Sequence, residues 1–215
     1  SVLLEEHPVL IWSFFFGLII ASAFMVAGRI GKWTVKEITG LLAGAGMAYF
    51  ITVASPANTP ESWWFILLSG MVAICAMILP GISGSFILLL LGKYAFIIGA
   101  VANKNISVLC LFALGCIIGL LSFSHILSWM FRKYHDFTIA VLTGFMVGSL
   151  NKVWPWKIPL ESRLIEGVEK VIREKAVLPN DFTAEPHIVG AALLACAGFL
   201  LIVLMERMAA HNPKG

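Results

Sequence analysis

From Trp63 to Ala102 the chain is almost wholly apolar, and one hexapeptide breaks it: Pro80-Gly81-Ile82-Ser83-Gly84-Ser85. A proline and two glycines stop a helix at that point and leave backbone N–H groups without intrahelical partners. Within hydrocarbon such groups persist only where they are buried in protein or line a polar cavity. The constraint on the fold is therefore strong, because a helix must end and restart inside a packed bundle. A helix that restarts at Ser83 offers convergent N–H donors and a positive dipole end, which suits an anion such as a phosphate. The alternative is an ordinary tight turn between two full crossings, although a surface turn more usually carries Asn or Asp.

Composition agrees with a membrane setting. Of 215 residues, 60% are hydrophobic and 13% charged, against about half and a quarter in soluble domains. Mean hydropathy is +0.93. Segments near the length needed to cross a bilayer, about twenty residues, are Pro8–Gly28, Lys36–Ala54, Trp63–Leu79, Ser83–Ala102, Ile106–Phe131, Phe137–Val153 and His187–Met208. All seven tryptophans lie near segment ends, as interfacial aromatics do. The fold class is an all-α polytopic membrane protein, a single transmembrane domain over 1–215. A net charge of +3, dispersed along the chain, points away from nucleic acid. Cys75, Cys110, Cys116 and Cys196 sit in apolar runs without metal-site spacing and read as small hydrophobes.

Basic residues fall in three short clusters: Arg29, Lys32 and Lys36; Arg132 and Lys133; Arg207 and Lys214. Alternating crossings put all three on one side, provided Trp63–Ala102 returns to the side it came from. By the positive-inside rule that side is cytoplasmic, and Ser1 starts outside. The parity holds whether the hexapeptide belongs to a re-entrant hairpin or to two full crossings. In the long loop, Leu160, Leu164, Ile165, Val168, Val171 and Ile172 form an apolar stripe at helical spacing. An amphipathic helix is expected over about 160–176, on the outer membrane surface or as a solvated linker.

Two segments share a pattern of small residue, three apolar, small residue, serine: Gly17 to Ser22 and Gly144 to Ser149. Each is followed by a tryptophan-containing loop and a second span that opens Ile38-Thr39-Gly40 or Ile188-Val189-Gly190. The two copies run in opposite directions, the mark of an inverted-topology repeat. On this reading 1–62 is the C-terminal part of repeat one and 63–208 is repeat two. Repeat one is then incomplete, and a partner of Pro80–Ser85 is expected upstream of Ser1.

Leu79 to Tyr94 (LPGISGSFILLLLGKY), Phe123 to Trp129 (FSHILSW), Leu142 to Leu150 (LTGFMVGSL) and Trp154-Pro155-Trp156 together resemble a bacterial family. It is the undecaprenyl phosphate translocase family of the PopT type, formerly a domain of unknown function. The likeness covers roughly Trp63 to Trp156 well and the remainder loosely. It implies return of the lipid carrier undecaprenyl phosphate across the bacterial cytoplasmic membrane for envelope synthesis and peptidoglycan precursor recycling. It also implies membrane lipids as surroundings, no cofactor, and coupling to H+ or Na+. A homodimer is compatible with it. Members carry an earlier Pro-Gly-Val-Ser-Gly-Gly motif, which this chain lacks.

Pro80, Gly81, Ser83, Gly84 and Ser85 are the first candidates for holding phosphate, through backbone N–H groups and two hydroxyls. A dianion in low dielectric also needs a cation. Arg29, with its two-pronged geometry, and Lys93, two turns past the break, are candidates. Lys152 is a third. Their alternatives are interfacial anchors, as are Arg132 and Lys133. His125, beside Ser122, Ser124 and Ser128, could relay a proton or make a helix–helix hydrogen bond. Ser22 and Ser149 hold matching repeat positions and, with Asn151, could line a cavity or serve close packing. Three rivals to a transporter stand: an intramembrane lipid-phosphate enzyme, an ion channel and an assembly subunit. An enzyme would need a nucleophile with its base or an acidic metal cluster. No span holds a carboxylate pair, so the chain is read as a non-enzyme.

Overall fold

The computed structural model describes residues 8–57, 59–165, 168–182 and 185–211. The predicted positions of Ser1 and Lys214 fall outside them. Among the described residues eight α-helices form: α1 (Pro8–Ala27), α2 (Val35–Val53), α3 (Trp63–Ile78), α4 (Gly84–Leu90), α5 (Tyr94–Ala102), α6 (Ile106–Lys133), α7 (His135–Val153) and α8 (Ile188–His211). Two strands, β1 (Lys157–Ile165) and β2 (Val168–Ala176), lie between α7 and α8. Pro8–Ala27, Ile106–Lys133 and Ile188–Met208 are long and apolar enough to cross a membrane. The bent pair α4 and α5, at 108° to one another, makes a fourth if counted as one span. The chain is a mostly helical membrane protein.

Small residues decide how the helices meet. A Cβ on Gly17 of α1 would lie 1.9 Å from the Ala195 carbonyl oxygen of α8, and one on Gly198 of α8 would lie 2.4 Å from that of Phe14. Likewise, Gly44 of α2 meets the Val141 carbonyl at 2.3 Å, and Gly148 of α7 meets that of Ala45 at 2.3 Å. Between apolar helices in lipid, attraction comes from such backbone approach rather than from expelled water. Leu10 meets Gly190 near one end of the first contact and Arg29 reaches Glu206 at the other, while Leu41 and Ala45 meet Gly144 and Gly148 in order along the second, so α1 runs parallel to α8 and α2 parallel to α7. The same holds for α3 and α6, where Leu67 meets Gly115 and Met71 meets Gly119. Exchanging α1 with α7 and α2 with α8 turns the first contact into the second.

The basic clusters gather at one end of this bundle. Asp136, in the first turn of α7, accepts the backbone N–H groups of Gly31 at 3.1 Å and Lys32 at 3.3 Å. Arg29 reaches Glu206 of α8 at 3.8 Å, and the Lys36 ammonium stands over the Tyr134 ring at 4.4 Å. At the other end Trp154 donates to the Val177 carbonyl and Trp156 to that of Pro186, both at 2.9 Å.

The expected helix over 160–176 is instead an antiparallel hairpin, with Lys157 opposite Ala176 and Ile165 opposite Val168. Its residues could support either period. Ile158, Ile165, Val168, Val171 and Ile172 are β-branched and favour strands. A glycine at 167 would cost a helix interior about 1 kcal/mol. Position 167 itself lies outside the described residues.

Candidate functional site

The hexapeptide caps a hairpin of helices whose tip packs against Phe145 and Ser149, in the second half of α7. α3 stops at Ile78, and Pro80 and Gly81 reverse the chain. Gly81 has φ +89, and a Cβ there would stand 2.1 Å from the Ser149 hydroxyl and 2.6 Å from Ser149 Cβ. Only glycine satisfies both the dihedral and the space. Ile82 is buried in a cluster with Ala48, Ala76, Ile87 and Phe145. Gly84 lets α4 fold back on α3, since a Cβ there would lie 2.9 Å from the Ala73 carbonyl. Ile82 thus seats the tip in the core, while Gly81, Ser83 and Ser85 stay exposed. The Ser83 and Ser85 hydroxyls are 2.8 Å apart and hydrogen-bonded to one another. α4 has only seven residues, so the donors here are turn amides and hydroxyls rather than the end of a long dipole.

The predicted ligands divide. Ser149 lies directly beneath Gly81, 1% exposed, its hydroxyl donating to the Met146 carbonyl at 2.8 Å. Asn151 donates to the Thr52 hydroxyl at 3.0 Å. Lys93 is at the far end of α4 from Ser83. It is 1% exposed, donates to the Thr59 carbonyl at 3.0 Å, and packs its ammonium over Phe65 at 5.6 Å and Phe96 at 5.4 Å. Arg29, its side chain 70% exposed, belongs to the basic end, where the anchor alternative had it. Ser22 is half-buried on α1. Ser124 and His125 lie on the exposed face of α6, so the structure does not bring them to the hexapeptide.

Next to the hexapeptide a cleft of about 390 Å³ opens under the β-hairpin, lined by Tyr49, Thr52, Phe86, Asn151, Lys152 and Glu174 among others. Phe86, the residue after Ser85, carries the Lys152 ammonium over its ring at 4.7 Å. Glu174 of β2 accepts from Lys152 at 2.8 Å and Lys157 at 3.4 Å. Lys157, its side chain 8% exposed, also donates to the Lys152 carbonyl at 3.0 Å and stands over the Trp12 ring at 3.8 Å. Burial pushes the Lys157 ammonium below its ordinary value, a fall that Glu174 opposes and Lys152 reinforces. For Glu174 burial pulls upward, but the Lys157 charge and the Lys152 hydrogen bond outweigh it, and its carboxyl lies below the usual value. Lys157 and Glu174 were missed from sequence because a helix over 160–176 puts Glu174 on its solvent face. The signal that could have found them is the glycine between two β-branched runs.

Comparison with known proteins agrees with the resemblance. A protein-family profile described as undecaprenyl phosphate translocase-like matches residues 1–170. A Vibrio cholerae protein named polyprenyl-phosphate transporter is 46% identical over 214 residues, covering 97% of this chain and 70% of that protein. A Staphylococcus aureus protein of the same name is 29% identical over 173 residues, covering 72% of this chain and 61% of that protein. No solved structure gives a significant match. The chain belongs to the undecaprenyl phosphate translocase-like family, among transporters rather than enzymes.

Proposed function

We propose that this chain carries a polyprenyl phosphate across the bacterial cytoplasmic membrane, its headgroup held at Pro80–Ser85 and its tail left in lipid. One observation carries the reading. An uncharged turn with two outward hydroxyls packs into an apolar bundle, seated on Ser149 through a glycine that no other residue can replace. Within a membrane, exposed amides and hydroxyls need a polar partner, and a phosphate oxygen is a strong acceptor. The names of the two relatives point to the same substrate class. Pro80 and Gly81 set the turn, Gly84 brings α4 onto α3, Ser83 and Ser85 donate, and Ser149 and Asn151 complete the polar wall.

The exchange of α1 with α7 and α2 with α8 supports an inverted repeat, and the two parallel pairs are the bodies that would rock against each other. The basic end is cytoplasmic on this reading and the β-hairpin end faces outward, so carriage from hairpin end to basic end returns the spent carrier. The test is reconstitution of the full chain in liposomes with a long-chain isoprenyl monophosphate. Wild-type protein should move the monophosphate and not the isoprenyl alcohol. Equal movement of both would remove the headgroup from the mechanism.

A further inference from the structure

The cleft under the β-hairpin contains two lysines and one carboxylate in an unusual balance. Lys152 and Lys157 both converge on Glu174. A single carboxylate therefore neutralises two ammonium groups, one of them nearly buried. A third, Lys175, sits at the same rim. The walls are mixed: Phe86, Val53 and Leu160 are apolar, and the Asn151–Thr52 pair and Tyr49 are polar. The volume of about 390 Å³ is ample for a phosphate and the first part of an attached chain. Phe86 joins this space to the hexapeptide, because it follows Ser85 and lies under the Lys152 ammonium.

We propose that this cleft is a docking site for a phosphate monoester, with Lys152 and Lys157 as its ligands and Glu174 as an internal counter-anion that the phosphate displaces. Resting on the transport reading above, it is the first stop for a headgroup arriving at the hairpin end, before transfer past Phe86 to Ser85. A phosphate monoester brings up to two negative charges and three acceptor oxygens where Glu174 brings one charge and two. It therefore satisfies both lysines more fully than Glu174 does. When it leaves, Glu174 closes on the lysines again, so the cations are never left buried without a partner. Lys157 anchors the assembly through Trp12 and the end of α7, and Lys152 is the mobile ligand.

The test is titration of the full chain in nanodiscs with three probes: a long-chain isoprenyl monophosphate, inorganic phosphate and the isoprenyl alcohol. Lys152→Gln should weaken monophosphate binding about tenfold, the usual order for one charge-assisted contact. Glu174→Gln should tighten it several-fold, because an amide of the same shape no longer competes. Alcohol binding should not move in either variant. These opposite signs separate the proposal from a structural role, in which both substitutions loosen the hairpin and weaken every probe. Should Lys152→Gln fail to fold, Glu174→Gln alone decides: unchanged or weaker monophosphate binding overturns the proposal. If inorganic phosphate shows the same signs but the lipid neither binds nor moves, the anion site stands and the transport reading fails. If both variants bind like wild type while Gly81→Val abolishes transport, transport stands and the docking site is overturned.

Discussion

The stretch from α3 to α5 contains two breaks, and they are built in opposite ways. Each turns on a glycine with positive φ, Gly81 at +89 and Gly92 at +64. Each glycine is pressed against a neighbour, Gly81 against Ser149 and Gly92 against the Ala57 carbonyl at 2.3 Å. At the second break the loop before α3 closes over the gap. Ala57 donates to the Leu90 carbonyl at 2.8 Å, and Lys93 is buried on the Thr59 carbonyl. At the first break nothing among the described residues plays that part, and Ser83 and Ser85 face outward with only each other as side-chain partners. One break is sealed by its own chain and the other is open. A charged side chain buried at the sealed break serves the fold, while uncharged hydroxyls at the open one are available to a ligand.

The sharpest way to break this contrast is Gly81→Val. The side chain would meet Ser149 and the backbone would hold a β-branched residue at positive φ, together about 3–5 kcal/mol. Transport of isoprenyl monophosphate in liposomes should fall by about a hundredfold or more. Combining Gly81→Ala with Ser149→Gly should recover part of the thermal stability lost in Gly81→Ala alone, since only the collision is relieved. A double-mutant cycle read by thermal unfolding measures that coupling. Full additivity would mean that the tip does not rest on Ser149.

Much of this arrangement was legible in the residue order, for reasons that differ from part to part. Spans follow from apolar run length, which survives any packing, so six of the seven segments read from Pro8 to Met208 correspond to single helices, while Ser83–Ala102 is broken into α4 and α5, bent by 108°. The shared end of the basic clusters follows from parity, and Asp136 and Glu206 confirm it by touching the Arg29–Lys32 loop and Arg29 itself. The hexapeptide was visible because proline, glycine and serine are rare in such a run. What could not be read was which face of a helix meets which neighbour. His125 and Lys93 are both polar residues in apolar context, yet one is exposed on α6 and the other fully buried. The hairpin was lost because its β-branched residues also fit a helical stripe. With it went Glu174, whose partners Lys152 and Lys157 meet it only when β2 folds back along β1.

Next in size is the sealed break. Lys93→Met removes a charged donor from the part-buried Thr59 carbonyl, a loss of about 1.5–3 kcal/mol. A lower midpoint of thermal unfolding is expected, with unchanged affinity of the folded fraction for isoprenyl monophosphate. Lost affinity at undiminished stability would instead make Lys93 a headgroup ligand and erase the distinction between the breaks.

The cleft beside the open break adds a pH signature. Glu174 titrates below its ordinary 4.5 in the folded chain, so its contribution is present above about pH 4.5 and is lost as pH falls through the lowered value. Lys157 titrates below its ordinary 10.5. It opposes folding while charged, and stability should rise as pH climbs from that lowered value toward 10.5. Thermal unfolding of wild type and Glu174→Gln across pH 3–10 tests both signs. Wild type should lose stability at the acid end, and the acid limb of the variant should be smaller.

The smallest effect is the most specific to the open break. Ser83 and Ser85 share one hydrogen bond, so removing either hydroxyl leaves the other free to turn toward a phosphate oxygen. Each of Ser83→Ala and Ser85→Ala should therefore weaken isoprenyl monophosphate binding only about two- to fivefold, below a full hydrogen bond's worth of about 1 kcal/mol where the survivor compensates. The double variant has no survivor, and its loss should exceed the product of the single losses. Such coupling between two neighbouring hydroxyls, read in affinity and absent from thermal stability, is expected only if both point at one ligand. If the single losses multiply, the two serines do not share a headgroup, and the open break must act through its backbone amides alone.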